Sequence, residues 1–332
     1  MRPARILKDT LITPLGPMEG AQGVEWYPDG SLRGLMLHRE NLVHLPCGDY
    51  VPNYHHDSAR AKHVPSLGFY PSGSVRTARF DRPESVPLPG GGRLMAEKAV
   101  FHESGRLKRV FPLDGRISGF WSEKDERSLL EPVSLDLPFG RRRLFVSAVS
   151  FHETGGIRSV TLWPGEVIGI PVGGDELPCR IGFSLDVFGN LESLEPAVSI
   201  RIETPIGDIE AYDPDAIGVN ADRNSLGFDR EGKVRSLKSM SVLEHGTDRT
   251  ITIVPRSNPH PFDCERRQYH PLWFIFGDKT LRVMRTGATR TIGYEFSLRD
   301  PLRARPLLIP TFANVIIPNG EPEGLMGGAL AN

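Results

Sequence analysis

A chain of 332 residues with 39% apolar and 24% charged side chains holds enough apolar material for a large core and too much for a disordered chain. Its 40 basic and 41 acidic residues leave a net charge of −1, so no global attraction to nucleic acid or to an anionic membrane is expected, and neither is predicted as a partner. No segment approaches the eighteen apolar residues of a membrane span, and the opening MRPARILKDTLITPLG lacks the apolar run of a signal peptide; the expectation is a cytoplasmic protein.

Glycine (35) and proline (29) are both abundant, which fits many short strands joined by tight turns. Cys47, Cys179 and Cys264 are odd in number and far apart, so no disulfide framework is predicted.

After a lead-in over residues 1–20, one template recurs six times between 21 and 246. A large apolar residue is followed four residues later by glycine, six later by an aliphatic residue and seven later usually by a base. Trp26 leads to Gly30, Leu32 and Arg33; Phe69 to Gly73, Val75 and Arg76; Phe101 to Gly105, Leu107 and Lys108. Phe151 leads to Gly155, Ile157 and Arg158; Leu185 to Gly189, Leu191 and Glu192; Phe228 to Gly232, Val234 and Arg235. The spacing predicts a three-residue hairpin loop with glycine in its left-handed position. That loop sets Trp26 opposite Leu32, Phe101 opposite Leu107 and Phe151 opposite Ile157, each pair on one buried face. A Pro-x-Gly follows in four of the copies and reads as a strand end or corner. One such unit cannot bury its apolar face alone, whereas stacked neighbours can. The fold class predicted is therefore all-β: a repeat-built β-sheet or solenoid of about six hairpin units. A six-bladed β-propeller is the alternative.

The stretch FHESGRLKRVFPLDGRISGFW, from Phe101, resembles the variant MORN-type repeat of bacterial proteins. The match is good there, fair at Phe151 and partial elsewhere, within residues 20–245. The resemblance implies an extended β-sheet or solenoid and an adaptor-like role, and it implies no catalytic residues.

Polar residues that could carry function fall into three groups. The insertion PNYHHDSARAKH supplies His55, His56, Asp57 and His63; long insertions often carry function, and His55 and His56 are candidate binding residues. Neighbouring histidines on an extended segment point to opposite sides, so this pair should not share one ion. His102 and His152, each following a leading aromatic, are candidate binding residues in a predicted exposed row with Tyr27, Tyr70, Asp186 and Asp229. Arg33, Arg76, Lys108, Arg158 and Arg235 would form a second row. A run of three arginines in GRRRL, 140–144, reads as a solvated strand end.

Past residue 246 the template fades. Residues 247–313 are predicted to be a β-rich cap over the last unit, and 314–332 a mobile tail. The cap contains NPHPFDCERRQYHPLWF, in which His260, Cys264 and His270, with Asp263, are candidate ligands for a transition metal. Their spacing matches no standard zinc pattern, and no other cofactor is predicted. Neither a nucleophile elbow nor a nucleotide-binding loop is present. The function expected is a non-catalytic repeat scaffold that binds a protein or small-molecule partner through its sheet face or insertion loops. The alternative is a hydrolase or lyase acting on a carbohydrate or other small molecule, in a groove where the two histidine-rich segments converge.

Overall fold

The computed structural model describes residues 6–7, 10–56, 60, 62–218, 220–246, 251–260, 263–286 and 290–307. One 16-stranded antiparallel sheet runs through it, from an edge at Ala21–Trp26 to an edge at Thr291–Ser297. The strand order is open and continuous. Successive hairpins hydrogen-bond to one another rather than forming separate blades, so the propeller alternative is not what this chain builds.

All six hairpins have the predicted pairing. Trp26 faces Leu32, Phe69 faces Val75 and Phe101 faces Leu107. Phe151 faces Ile157, Leu185 faces Leu191 and Phe228 faces Val234. Each turn glycine has a positive φ, between 78° and 102°, where a side chain would be strained. Each turn is closed by the same pair of backbone bonds, as in His102 N to Arg106 O at 2.8 Å and Gly105 N to His102 O at 2.9 Å. Val100 pairs with Arg109 while Phe101 pairs with Leu107, so Lys108 is the extra residue of a β-bulge. Arg33, Arg76, Arg158, Glu192 and Arg235 occupy the same bulge in the other hairpins. The base seven residues after the leading residue is thus the bulged side chain.

Two rows cross the sheet side by side. Leu35, Leu67, Ala78, Ala99, Val110, Val149, Val160, Phe183, Leu194, Leu226, Leu237, Phe274 and Val283 are consecutive cross-strand partners. All thirteen belong to one apolar core, together with Phe69, Phe101 and Phe151. Trp26, on the edge strand, is the exception among the leading residues and remains 41% exposed. The next row points to the opposite face, because strand side chains alternate. It reads Gly34, Gly68, Thr77, Val100, Arg109, Ser150, Ser159, Ser184, Ser193, Gly227, Ser236 and Ile275. Its side chains are mostly small and polar, which lets connecting segments lie close over this second face. A Cβ on Gly34, for example, would stand 3.2 Å from Pro65.

The Pro-x-Gly motif is more than a corner. In Val43–Leu45 with Gly48–Tyr50 and in Val133–Leu137 with Gly140–Leu144, the proline opens the two-residue loop of a second, shorter hairpin. The proline that the third unit lacks at the expected place is Pro138, displaced by an insertion holding the helix Glu123–Leu129, which Ser122 caps. These short hairpins add Val43, Leu45, Tyr50, Leu135, Leu137 and Leu144 to the same core. Their prolines, and Pro89 in the turn between Val75–Pro87 and Arg93–Phe101, reach two long hairpins further on: Pro46, Pro89 and Pro138 lie 3.3 Å from where a Cβ on Gly105, Gly155 and Gly189, respectively, would stand.

The segment predicted as a cap contributes Leu272–Phe276, Thr280–Thr286 and Thr291–Ser297 to the main sheet. It also shares a three-stranded sheet, made of Val242–His245, Ile251–Ile253 and Leu302–Arg305. The tail, 314–332, lies outside the described residues. No helix among those described is long and apolar enough to cross a membrane.

Candidate functional site

The predicted site residues are held in three separate places. His102 and His152 do not form a free recognition row. The Nε2 atom of each donates to the carbonyl of the next hairpin's leading residue, His102 to Phe151 O at 3.2 Å and His152 to Leu185 O at 2.9 Å. Tyr27 and Tyr70 do the same with their hydroxyls, to Phe69 O and Phe101 O, both at 2.9 Å. Asp186 and Asp229, in the last two hairpins, instead accept amides of their own turns.

In the insertion, His55 Nδ1 lies 2.9 Å from Asp81, which also accepts the amides of Tyr54 and His55. His56 is buried and its Nε2 donates to Leu37 O at 2.9 Å, with the His38 ring tilted against it at a centroid distance of 5.0 Å. Asp57 lies outside the described residues. Beside this insertion is an ion-pair network over the polar face. Asp114 receives Arg79 at 2.6 Å, Lys98 at 3.1 Å and Lys62 at 3.2 Å, while Arg60 bridges Glu97 and Glu126. Burial alone would raise the Asp114 pKa, but Lys98, Arg79 and Lys62 outweigh it and hold the carboxyl below its ordinary range. Lys98, buried among other cations, is pushed down.

His270 stands far from this. Its Nδ1 donates to Asp215 at 2.7 Å and its Nε2 accepts from Asn258 at 3.0 Å, so both ring nitrogens are engaged. The side chains of His260 and Cys264 lie outside the described residues, but their backbone shows the layout. Cys264 and His270 are six residues apart on one strand, about 20 Å at the usual rise, and His260 is at the hairpin tip where His270 is at its base. The histidine-rich segments also do not converge. Eight strands separate Val75–Pro87 from Leu272–Phe276, on the order of 40 Å along the sheet.

What does converge is a set of residues that carry no sequence motif. Residues 212–218 and 220–225 cross the polar face above the serine row. Asp222 accepts from Ser159 Oγ at 2.6 Å and pairs with Arg109. Asn224 Nδ2 donates to Ser193 Oγ at 2.8 Å and to Ala221 O at 3.1 Å, leaving its Oδ1 buried without a partner. Glu195 accepts both the amide and the hydroxyl of Ser225 at 2.8 Å. Lys238 donates to Asp213 at 2.6 Å. The segment sits this close because Gly182 has no side chain: a Cβ there would come within 2.0 Å of Val160 O and 2.6 Å of Ala221. The preceding Ile181 is the one non-glycine residue at positive φ among those described (61°), a costly conformation for a β-branched side chain.

Between this segment and the sheet lies a cavity of about 740 Å³, within the range of small-molecule sites. Ser193, Gly227 and Ser236 of the small-residue row line it, with Trp273 and Ile275 from the next strand and Asp213 and Asp215 from the crossing segment. The bulged residues of the last two hairpins, Glu192 and Arg235, also line it; a bulge re-aims a side chain that regular pairing would direct elsewhere. Trp273 is 42% exposed. Two carboxyls here are pushed apart. Burial raises Glu195 against the opposing Ser225 bonds, whereas Asp222, despite burial, is lowered by Ser159 and Arg109. Burial raises both described thiols, Cys47 and, up to about 12, Cys179, which disfavours the thiolate form.

Comparison with known proteins finds no family model that matches the chain, and no curated protein matches it either.

Proposed function

We propose that the chain is a cytoplasmic, non-catalytic scaffold built from six copies of one hairpin unit of the variant MORN type, and that it holds a small-molecule partner in the cavity over its polar face. The observation that carries this reading is the convergence on that cavity of Asp213, Asp215, Ser193, Ser236 and Trp273, which come from four different elements. His55, His56, His102, His152 and His270, the candidate histidines whose side chains are described, each make an internal hydrogen bond, which argues against a histidine-based active site. Small-molecule analysis of the protein purified from the cells that make it, beside its Ser236→Trp and Trp273→Ala variants, tests the reading. A stoichiometric compound that both variants lose is expected. Its absence from the wild type, or its retention by both variants, sinks the idea.

A hydrolase or lyase reading draws on one observation, the opposed shifts of Glu195 and Asp222 in the same cavity. Glu195 is nevertheless buried with both oxygens bonded to Ser225, which suits a structural anchor better than a proton donor. Turnover of the co-purified compound by the wild type and not by Glu195→Gln would favour the enzyme.

A further inference from the structure

Resting on the reading of the cavity as a ligand site, we infer that its ligand is a neutral, polyhydroxylated ring compound of the carbohydrate class. The three aspartates of the cavity each already have a partner within the fold. Asp213 is paired with Lys238, Asp222 with Arg109, and Asp215 holds His270 and Gln268. A carboxylate neutralised in this way still offers lone pairs, because each oxygen can accept more than one bond. Such a wall presents acceptors, and two of its aspartates, Asp213 and Asp222, already hold a counter-ion.

Arg223 and Arg235 also line the cavity but are exposed, whereas Asp213 is buried and Asp215 and Asp222 are half-buried, so an anion held by the arginines would sit at the rim, outside the carboxylate wall. A cationic ligand would have to compete with Lys238 and Arg109 for carboxylates already in contact at short range. Hydroxyl groups need no such displacement. They can donate to Asp213 and Asp215 and exchange bonds with Ser236 Oγ, whose side chain, unlike that of Ser193, makes no hydrogen bond among the described residues.

The remaining feature is Trp273. It lies directly opposite Lys238 in the register, on the polar face, while its neighbours Leu272 and Phe274 are fully buried. An indole left 42% exposed at the wall of the cavity is a platform for a ring with one apolar face. Pyranose and related rings have that character: C–H groups on a face and hydroxyls around the rim. Ile275, the next residue on the same face, extends the apolar strip.

Isothermal titration of the full chain, at low and high salt, tests the inference with three kinds of probe: neutral malto-, cello-, xylo- and chito-oligosaccharides, spermidine, and inorganic phosphate. At least one neutral saccharide is expected to bind with an affinity that salt leaves unchanged, and to bind tenfold or more weakly to Trp273→Ala. Because Trp273 is part-exposed, that variant is expected to fold, and a circular dichroism melt verifies it. Asp213→Asn serves as a second variant with the same expected loss. Trp273-dependent binding of spermidine or phosphate alone overturns the carbohydrate assignment and leaves the cavity as a site. Saccharide binding that Trp273→Ala does not weaken, or no saccharide binding at 10 mM (about the weakest useful affinity), also overturns it, while the co-purified compound independently decides whether the cavity is a ligand site at all.

Discussion

His102 and His152 show how one residue can be mistaken for a site and yet matter to the fold. In the first two hairpins the same position is tyrosine, and hydroxyl or imidazole alike donates to the leading residue's carbonyl in the next hairpin. His102→Tyr should therefore be close to neutral, while His102→Phe, which leaves that carbonyl without its donor, should cost about 1 kcal/mol in urea unfolding. Equal losses for both would mean that ring packing, not the hydrogen bond, is what counts. Among the turn glycines, Gly105→Ala should cost more than Gly232→Ala. Both residues have positive φ, worth about 1–2 kcal/mol of strain, but the Gly105 position alone also faces Pro46. At Asp114, replacement by Asn leaves Lys98 buried with its main counter-charge gone, for which about 3–5 kcal/mol is the expected loss. Because the folded Asp114 pKa is depressed, its stabilisation is complete above the ordinary aspartate value of about 3.9 and is lost as pH falls through the lower folded value. Stability measured from about pH 5 downward should thus fall more steeply in the wild type than in Asp114→Asn. Parallel curves would contradict the ion-pair assignment.

At the level of the element, the long hairpin was legible because its determinants are local. An apolar residue, a glycine four on and an aliphatic six on specify loop, pairing and bulge together, and all six copies obey. Phe101 and Phe151 are almost fully buried in the resulting core, so replacing either with Ala should cost about 3–5 kcal/mol by denaturant titration, against much less for the edge residue Trp26. A small loss at Phe151 would mean that the inward row is not what holds the hairpins together. The second hairpin was only half legible. Its proline was visible, but whether a proline ends a strand or opens a turn depends on what pairs afterwards. The polar row was not legible as a surface: Ser150, Ser159, Ser184, Ser193 and Ser236 look like ordinary strand serines until five pairings bring them into line.

For the whole molecule, the long-range outcome is one open sheet with an apolar face, covered by the short hairpins, and a face of small residues, onto which other connecting segments such as 220–225 fold down. The cavity arises there, from residues between Ile181 and Ile275. Nothing in the spacing of those residues announces it, since carboxylates, serines and one tryptophan on different strands form no motif. The histidine clusters did stand out, because they are adjacent in the chain. Adjacency says nothing about whether a ring is already bonded, and here His55, His56 and His270 are.

The central claim is that the ligand site lies on the polar face beneath residues 213–225, away from both histidine-rich segments. Hydrogen exchange of the full chain, as purified with its bound compound and again after that compound has been stripped, tests it most directly. Binding in the cavity predicts that stripping accelerates exchange in peptides covering 213–225, 234–238 and 272–275, and leaves 51–66 and 256–270 unchanged. Acceleration confined to 51–66 or 256–270 would contradict it and return the site to the histidine-rich segments.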